Sequence, residues 1–165
     1  MMVLFITFIS LLASGNEAHE LDKVRLEFLF EKPSKEQLIK WIDEEQDGPI
    51  IEQAYQGLSM TLMAEHVFSP LNKLSYFQDG KELIEKCIKE NPNNPELRYI
   101  RLIVQLNAPY FLGYNDNIEN DLKIFTTMIE QDLLQTNQMA KNILNTKHID
   151  DFYKWKKTLK LFTND

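Results

Sequence analysis

Apolar side chains recur at spacings of three and four along most of this chain, and proline, glycine and short polar residues punctuate them. Leu21, Val24, Phe28 and Leu29 predict a first helix over Leu21–Glu31, stopped at Pro33. Ser34 followed by Gln37 has the form of a capping box, and the helix it opens carries Leu38, Trp41 and Ile42 on one face. Asp47-Gly48-Pro49 closes that helix and starts the next, since proline is tolerated in a first helical turn. A third helix over Ile50–Val67 presents Ile50, Ala54, Gly57, Leu58, Thr61 and Leu62 as a stripe, with small residues at 54, 57 and 64 that admit a close neighbour. Ser69-Pro70 opens a fourth, striped by Leu74, Phe77, Ile84 and Ile88, with Gly80 and Cys87 as small positions. Asn94-Pro95-Glu96 combines a cap, a first-turn proline and an acid at the positive end of the helix dipole.

The fifth helix carries Tyr99, Leu102, Ile103 and Leu106 and ends at Ala108-Pro109. Tyr110-Phe111-Leu112-Gly113-Tyr114 is an unusually aromatic connection. Asp116 with Glu119 has the form of another capping box before Ile118, Leu122, Phe125, Ile129 and Leu133. A short seventh helix after Thr136 bears Met139, Ile143 and Leu144, and Asp150 is placed to cap an eighth with Phe152, Trp155, Leu159 and Phe162. Sustained period-two alternation and hairpin dipeptides between β-branched runs are both missing after the first segment. The expectation is an all-α protein of about eight helices, joined by short connections that make consecutive helices antiparallel neighbours.

Val3–Ala13 breaks this rhythm, because it is apolar on every side and uncharged. It is shorter than the ~20 residues a membrane-spanning helix needs, and it has the length of a signal-peptide core. Ala13-Ser14-Gly15 supplies small residues for cleavage after Gly15, although no Lys or Arg precedes Val3. The segment 1–15 reads as a signal peptide and 16–165 as one helical domain, exported to a periplasmic or extracellular location with no stable membrane insertion.

Composition narrows the classes. One Cys cannot build a disulfide scaffold, and 11% aromatic content argues against disorder. With 18 Lys+Arg against 25 Asp+Glu the chain is at −7, which disfavours general nucleic-acid binding. The charge is uneven: residues 17–96 hold 17 acids and 9 bases, whereas residues 97–165 hold 8 acids and 9 bases. The high Lys, Asn and Ile content fits an AT-rich genome.

Gly80, Ile84, Cys87 and Pro92 stand at spacings of 4, 3 and 5, followed by a new helix start. That series resembles the second helix of a tetratricopeptide-type repeat, in which small residues admit the adjoining helices and the proline ends the hairpin. The first-helix series of that repeat is lacking upstream, so the chain is repeat-like over about 25 residues. The resemblance implies antiparallel hairpins stacked in a right-handed, solenoid-like domain. Pro92, Glu96, Arg98, Tyr99 and Arg101, then Asn107-Ala108-Pro109 and Leu112-Gly113-Tyr114, resemble a pattern found in uncharacterised exported bacterial proteins, which implies no activity.

Motifs for chemistry are sparse. His19, His66 and His148 lie in no metal-ligand spacing, and there is no nucleophile elbow or phosphate-binding loop, so neither a metal nor a cofactor is expected. Cys87 sits on an apolar stripe and reads as a buried packing residue. The acid pairs Glu44-Glu45 and Asp150-Asp151 lie at helix ends. The informative stretch is 98–114. Arg98, Arg101 and Gln105 share one face of the fifth helix, and they include two of only three Arg in the chain. Guanidinium forks bind carboxylates bidentately. With Asn107, Tyr110 and Tyr114 these residues form a candidate binding face for a carboxylate-bearing protein or peptide. The alternative is that both Arg pair with acids of neighbouring helices, such as Glu82, Glu85 or Asp121, and pin the aromatic loop. The Lys-rich last helix reads as a solvent-facing cap on the helical stack, with an anionic surface as the other reading. The function expected is a scaffold or protein-interaction module, not an enzyme. A helical enzyme with a dispersed site and a small acidic inhibitor or immunity-type protein are the competing classes.

Overall fold

A computed structural model describes residues 21–43, 48–127 and 133–163. The proposed signal segment, Glu44-Glu45 and Ile129 of the predicted sixth helix lie outside the described residues, and Leu133, predicted as the last stripe position of that helix, instead begins the described part of the next one. All regular structure among the described residues is helical. The chain divides into two compact units, Met1–Pro33 and Ser34–Asp165. In the first, α1 (residues 21–30) has Val24, Phe28 and Leu29 buried, on the face their spacing predicts.

The second unit contains α2 (Lys35–Asp43), α3 (Ile50–Met63), α4 (Pro70–Glu90), α5 (Pro95–Asn107), α6 (Ile118–Thr127), α7 (Leu133–Leu144) and α8 (Tyr153–Lys160). Single 3-10 turns occupy Ala64–His66, Tyr110–Leu112 and Ile149–Phe152. The strongest start signals act as read. Ser34 and Gln37 exchange side chain-to-backbone hydrogen bonds, at 2.8 Å from the Ser34 amide and 3.3 Å from the Gln37 amide. Asn94 Oδ1 accepts from the amides of Glu96 and Leu97 at 2.9 and 3.2 Å, and Ser69 accepts from the amide of Asn72. These bonds satisfy backbone donors that a helix start otherwise leaves open.

Several boundaries differ from the reading of the sequence. The predicted third helix tightens into a 3-10 turn after Met63 rather than running to Val67. Helix α6 begins at Ile118, and the Asn117 carbonyl accepts the Asp121 amide, so Asn117 takes the flanking place expected of Asp116. Helix α7 is already formed at Leu133, ahead of Thr136. Asp150 does not cap α8: it lies in the preceding 3-10 turn and pairs with Lys156, which leaves Phe152 as the flanking residue without a side-chain cap.

Helices α3 and α4 cross at two glycines. A Cβ on Gly57 would lie 2.8 Å from the Gly80 carbonyl oxygen, and one on Gly80 would lie 2.4 Å from that of Gly57. Gly80 also faces Thr61 while Gly57 faces Ile84, so the helices run antiparallel. Rigid backbone on both sides leaves no flexible side chain to yield. Helix α5 packs against α3, α4, α6 and α7 and is the centre of this unit. Leu97, Ile100, Leu102 and Leu106 fill its apolar surroundings, and Tyr99 lies beside Phe125 of α6 with ring centroids 6.2 Å apart.

Helix α4 outruns its partner. At 1.5 Å per residue its 21 residues extend about 31 Å, against about 21 Å for the 14 of α3. With the crossing at Gly57 and Gly80, the first turn of α4 runs past the end of α3. Leu74, predicted for the core stripe, is therefore exposed, together with Leu71 and Phe68.

The glycine crossing predicts opposite causes for two similar losses. Gly80→Ala should destabilise the fold by about 1–3 kcal/mol through overpacking, despite the better helix propensity of Ala. Gly113→Ala meets no neighbour within 4 Å but must hold φ at +60°, costing about 1–2 kcal/mol. Adding Gly57→Ala to Gly80→Ala should be strongly non-additive, whereas Gly113→Ala should simply add; urea melts of single and double variants test this.

Candidate functional site

The six residues singled out on α5 and its exit fall into three groups. Arg98, Arg101 and Tyr114 join an interior cluster, Asn107 and Tyr110 join a surface clamp, and Gln105 belongs to neither. The face expected to line a groove is interior: Arg98, Arg101 and Gln105 are all buried. Contact of α5 with four other helices leaves it little solvent-facing surface.

The cluster is organised by Asp121 of α6, whose side chain is 0% exposed. Arg101 meets it as a fork, with Nε 2.6 Å from Oδ2 and Nη2 2.7 Å from Oδ1. Nη1 of the same guanidinium donates to Glu85 Oε2 of α4 at 2.8 Å. Arg98 donates through Nη1 to Asp121 Oδ1 at 3.1 Å and through Nε to the Pro92 carbonyl, also at 3.1 Å. Glu85 uses its other oxygen, Oε1, to accept from the Tyr114 hydroxyl at 2.7 Å. Two guanidiniums thus face two carboxylates, and the turn between α4 and α5, the aromatic loop and three helices are tied together. Glu85 and Asp121 are two of the three acids expected as partners in the structural reading of these arginines.

The electrostatics follow from burial and pairing. Burial alone would lower the Arg101 pKa, but hydrogen bonding and charge from Asp121, with Glu85 beside it, raise it above its ordinary value. Burial, followed by the hydrogen bond and charge of Glu85, pushes the Tyr114 hydroxyl far up. The Tyr114 ring meets Phe77 edge-on at 5.9 Å, and Lys81 Nζ lies 4.8 Å from its centroid. Tyr99 is raised mainly by burial, while its oxygen accepts from Asn142 Nδ2 at 2.8 Å.

The clamp holds the exit of α5 to the turn after α7. Asn107 Nδ2 donates to the Ile103 carbonyl at 2.8 Å, and its Oδ1 accepts the Lys147 amide at 3.3 Å. The His148 amide donates to the Leu106 carbonyl at 3.1 Å. The Tyr110 ring lies against the His148 imidazole at 4.2 Å, and its hydroxyl donates to Asp151, which raises the Tyr110 pKa. At the tip of this 3-10 turn Phe111 is 86% exposed. Pairing of Tyr110 with His148 escaped the sequence reading, because 38 positions separate them and no local pattern joins them.

Cys87 is buried, as its stripe position predicts, and burial followed by the charge of Glu90 pushes its thiol up to about 11. Among the described residues no group of three His, Cys, Asp or Glu is placed to hold a metal ion, and no helix is long and apolar enough to cross a membrane.

Asp121→Asn should cost about 3–5 kcal/mol, because it strands two buried guanidiniums. Arg101→Lys should be costly as well, since an ammonium cannot reproduce the fork, whereas Tyr114→Phe should cost about 1 kcal/mol. Chemical denaturation of the three variants checks this order. The thiol prediction is separate: Cys87 should resist a thiol reagent at pH 8 in the native protein and react rapidly in 6 M guanidinium, because reaction requires an accessible thiolate. Rapid native-state labelling would contradict this burial. In comparisons with known proteins, no family model, curated protein or solved structure matches this chain.

Proposed function

We propose that this protein is an exported helical scaffold that binds a protein partner through the overhanging start of α4. The observation that carries this reading is the apolar strip of Phe68, Leu71 and Leu74. Phe68 is 100% exposed and Leu71 78%, and the three follow one another at intervals of three residues. Clustered exposed apolar residues of this kind commonly mark interaction surfaces, whereas isolated ones need no explanation. Lys73 and Asp79 are the charged residues between Phe68 and Gly80, so this segment is unusually lightly charged for so acidic a half of the chain.

On this reading the partner is recognised by apolar contact. The carboxylate recognition expected of Arg98 and Arg101 gives way to an internal role, since their donors are engaged by Asp121, Glu85 and Pro92. Export rests on the signal-like segment Val3–Ala13, and a repeat-like arrangement on the Gly80, Ile84, Cys87 and Pro92 series together with the antiparallel α3–α4 crossing.

Leu71→Asp should leave stability within about 0.5 kcal/mol of the wild type, as for most exposed positions. The same change should weaken partner binding about tenfold or more. Affinity capture from the native envelope with wild-type and variant bait, followed by binding measurements with the recovered partner, tests both effects. Equal affinity for the two baits would reject the strip as the docking surface.

A further inference from the structure

Gln105 is a buried polar side chain of α5 that neither the cluster nor the clamp uses. It is 1% exposed, and neither Nε2 nor Oε1 has a hydrogen-bond partner in the protein. A carboxamide carries two donor hydrogens and an accepting oxygen, and burying all of them unpaired is costly. Its polar neighbours along the helix are already committed. One turn earlier, Arg101 spends its donors on Asp121 and Glu85. Two residues later, Asn107 spends its amide on Ile103 and Lys147.

We propose that the Gln105 carboxamide forms one wall of an internal hydration site that holds at least one long-lived water molecule. The chemistry of the surroundings selects such a guest. It must both donate and accept, because both ends of the amide are open. It must be neutral, because the nearby charges already balance as two guanidiniums against two carboxylates. It must be very small, because solvent barely reaches the side chain. Water meets all three requirements, and native interiors commonly satisfy buried polar groups with such molecules. The carboxylate that pairs with Arg101, one turn earlier on α5, retains acceptor capacity: Asp121 Oδ2 takes one guanidinium bond, whereas Oδ1 takes two. The site would continue the polar face of α5 by one helical turn beyond Arg101.

The test uses the full-length wild-type protein, with cross-relaxation measured between bulk water and the Gln105 side-chain NH2 protons. A water that tumbles with the protein gives NOE and ROE of opposite sign at these protons. A high-resolution crystal structure should then place its oxygen within hydrogen-bond distance of the amide. Failure to observe that cross-relaxation, or an amide found bonded directly to a protein group, would overturn the proposal. Gln105→Met, which keeps the length of the side chain, supplies an independent readout: the melting temperature should fall by a few degrees. A rise is the result expected if the native amide has no partner at all, and it too would overturn the proposal.

Discussion

A single buried carboxylate, Asp121, is what the centre of this molecule depends on. It accepts from both Arg98 and Arg101 while lying fully inside the protein. Taking these ions out of water is expensive, and close pairing with near-complete use of the donors is what offsets the cost. The arrangement also specifies geometry. A fork that must meet both carboxylate oxygens is met at one setting of α5 against α6, so the pair fixes register in a way that interchangeable Leu and Ile contacts do not. Glu85 and the Pro92 carbonyl carry the same network to α4 and to the turn that follows it.

Around this polar seam the apolar packing is ordinary in composition and strict in one place. Gly57 and Gly80 bring α3 and α4 together at backbone distance, with no room for a methyl group on either side. That contact sets where the two helices cross, and the crossing decides how much of α4 is left uncovered. The exposed strip of Phe68, Leu71 and Leu74 is thus a consequence of glycine placement about nine residues away as well as of the residues themselves. Core and candidate interface are linked through helix length and crossing point.

The aromatic loop after α5 has a double character for a similar reason. Tyr114 faces inward to Glu85 and Phe77, while Tyr110 faces His148 and Asp151. Gly113 in the left-handed region lets the chain reverse between them. Phe111 is left outside at the tip. The loop is held at both ends by side chains from distant segments, which explains why an aromatic run is stable in a connection without regular α-helix.

Local chemistry was legible in the sequence. Helical periodicity, the reciprocal Ser34–Gln37 cap, the Asn94 cap and the burial of Cys87 follow from side chains within a few residues of one another, and all are present. Pairing of the two arginines with Glu85 or Asp121 was foreseeable as one of two alternatives. Periodicity marks which residues share a face but not whether that face meets solvent or another helix. That choice depended on α5 being packed against four other helices, which arises only when the helices assemble. The same limit applies to Leu74, whose spacing is that of a core residue but whose position lies past the end of α3. The sequence by itself determined the helices, most of their caps and their small contact positions, because those are set by short-range sterics and hydrogen bonding. Only the tertiary structure decided which polar face became the buried seam and which apolar residues remained outside, because those depend on crossing points and helix lengths that no local pattern encodes.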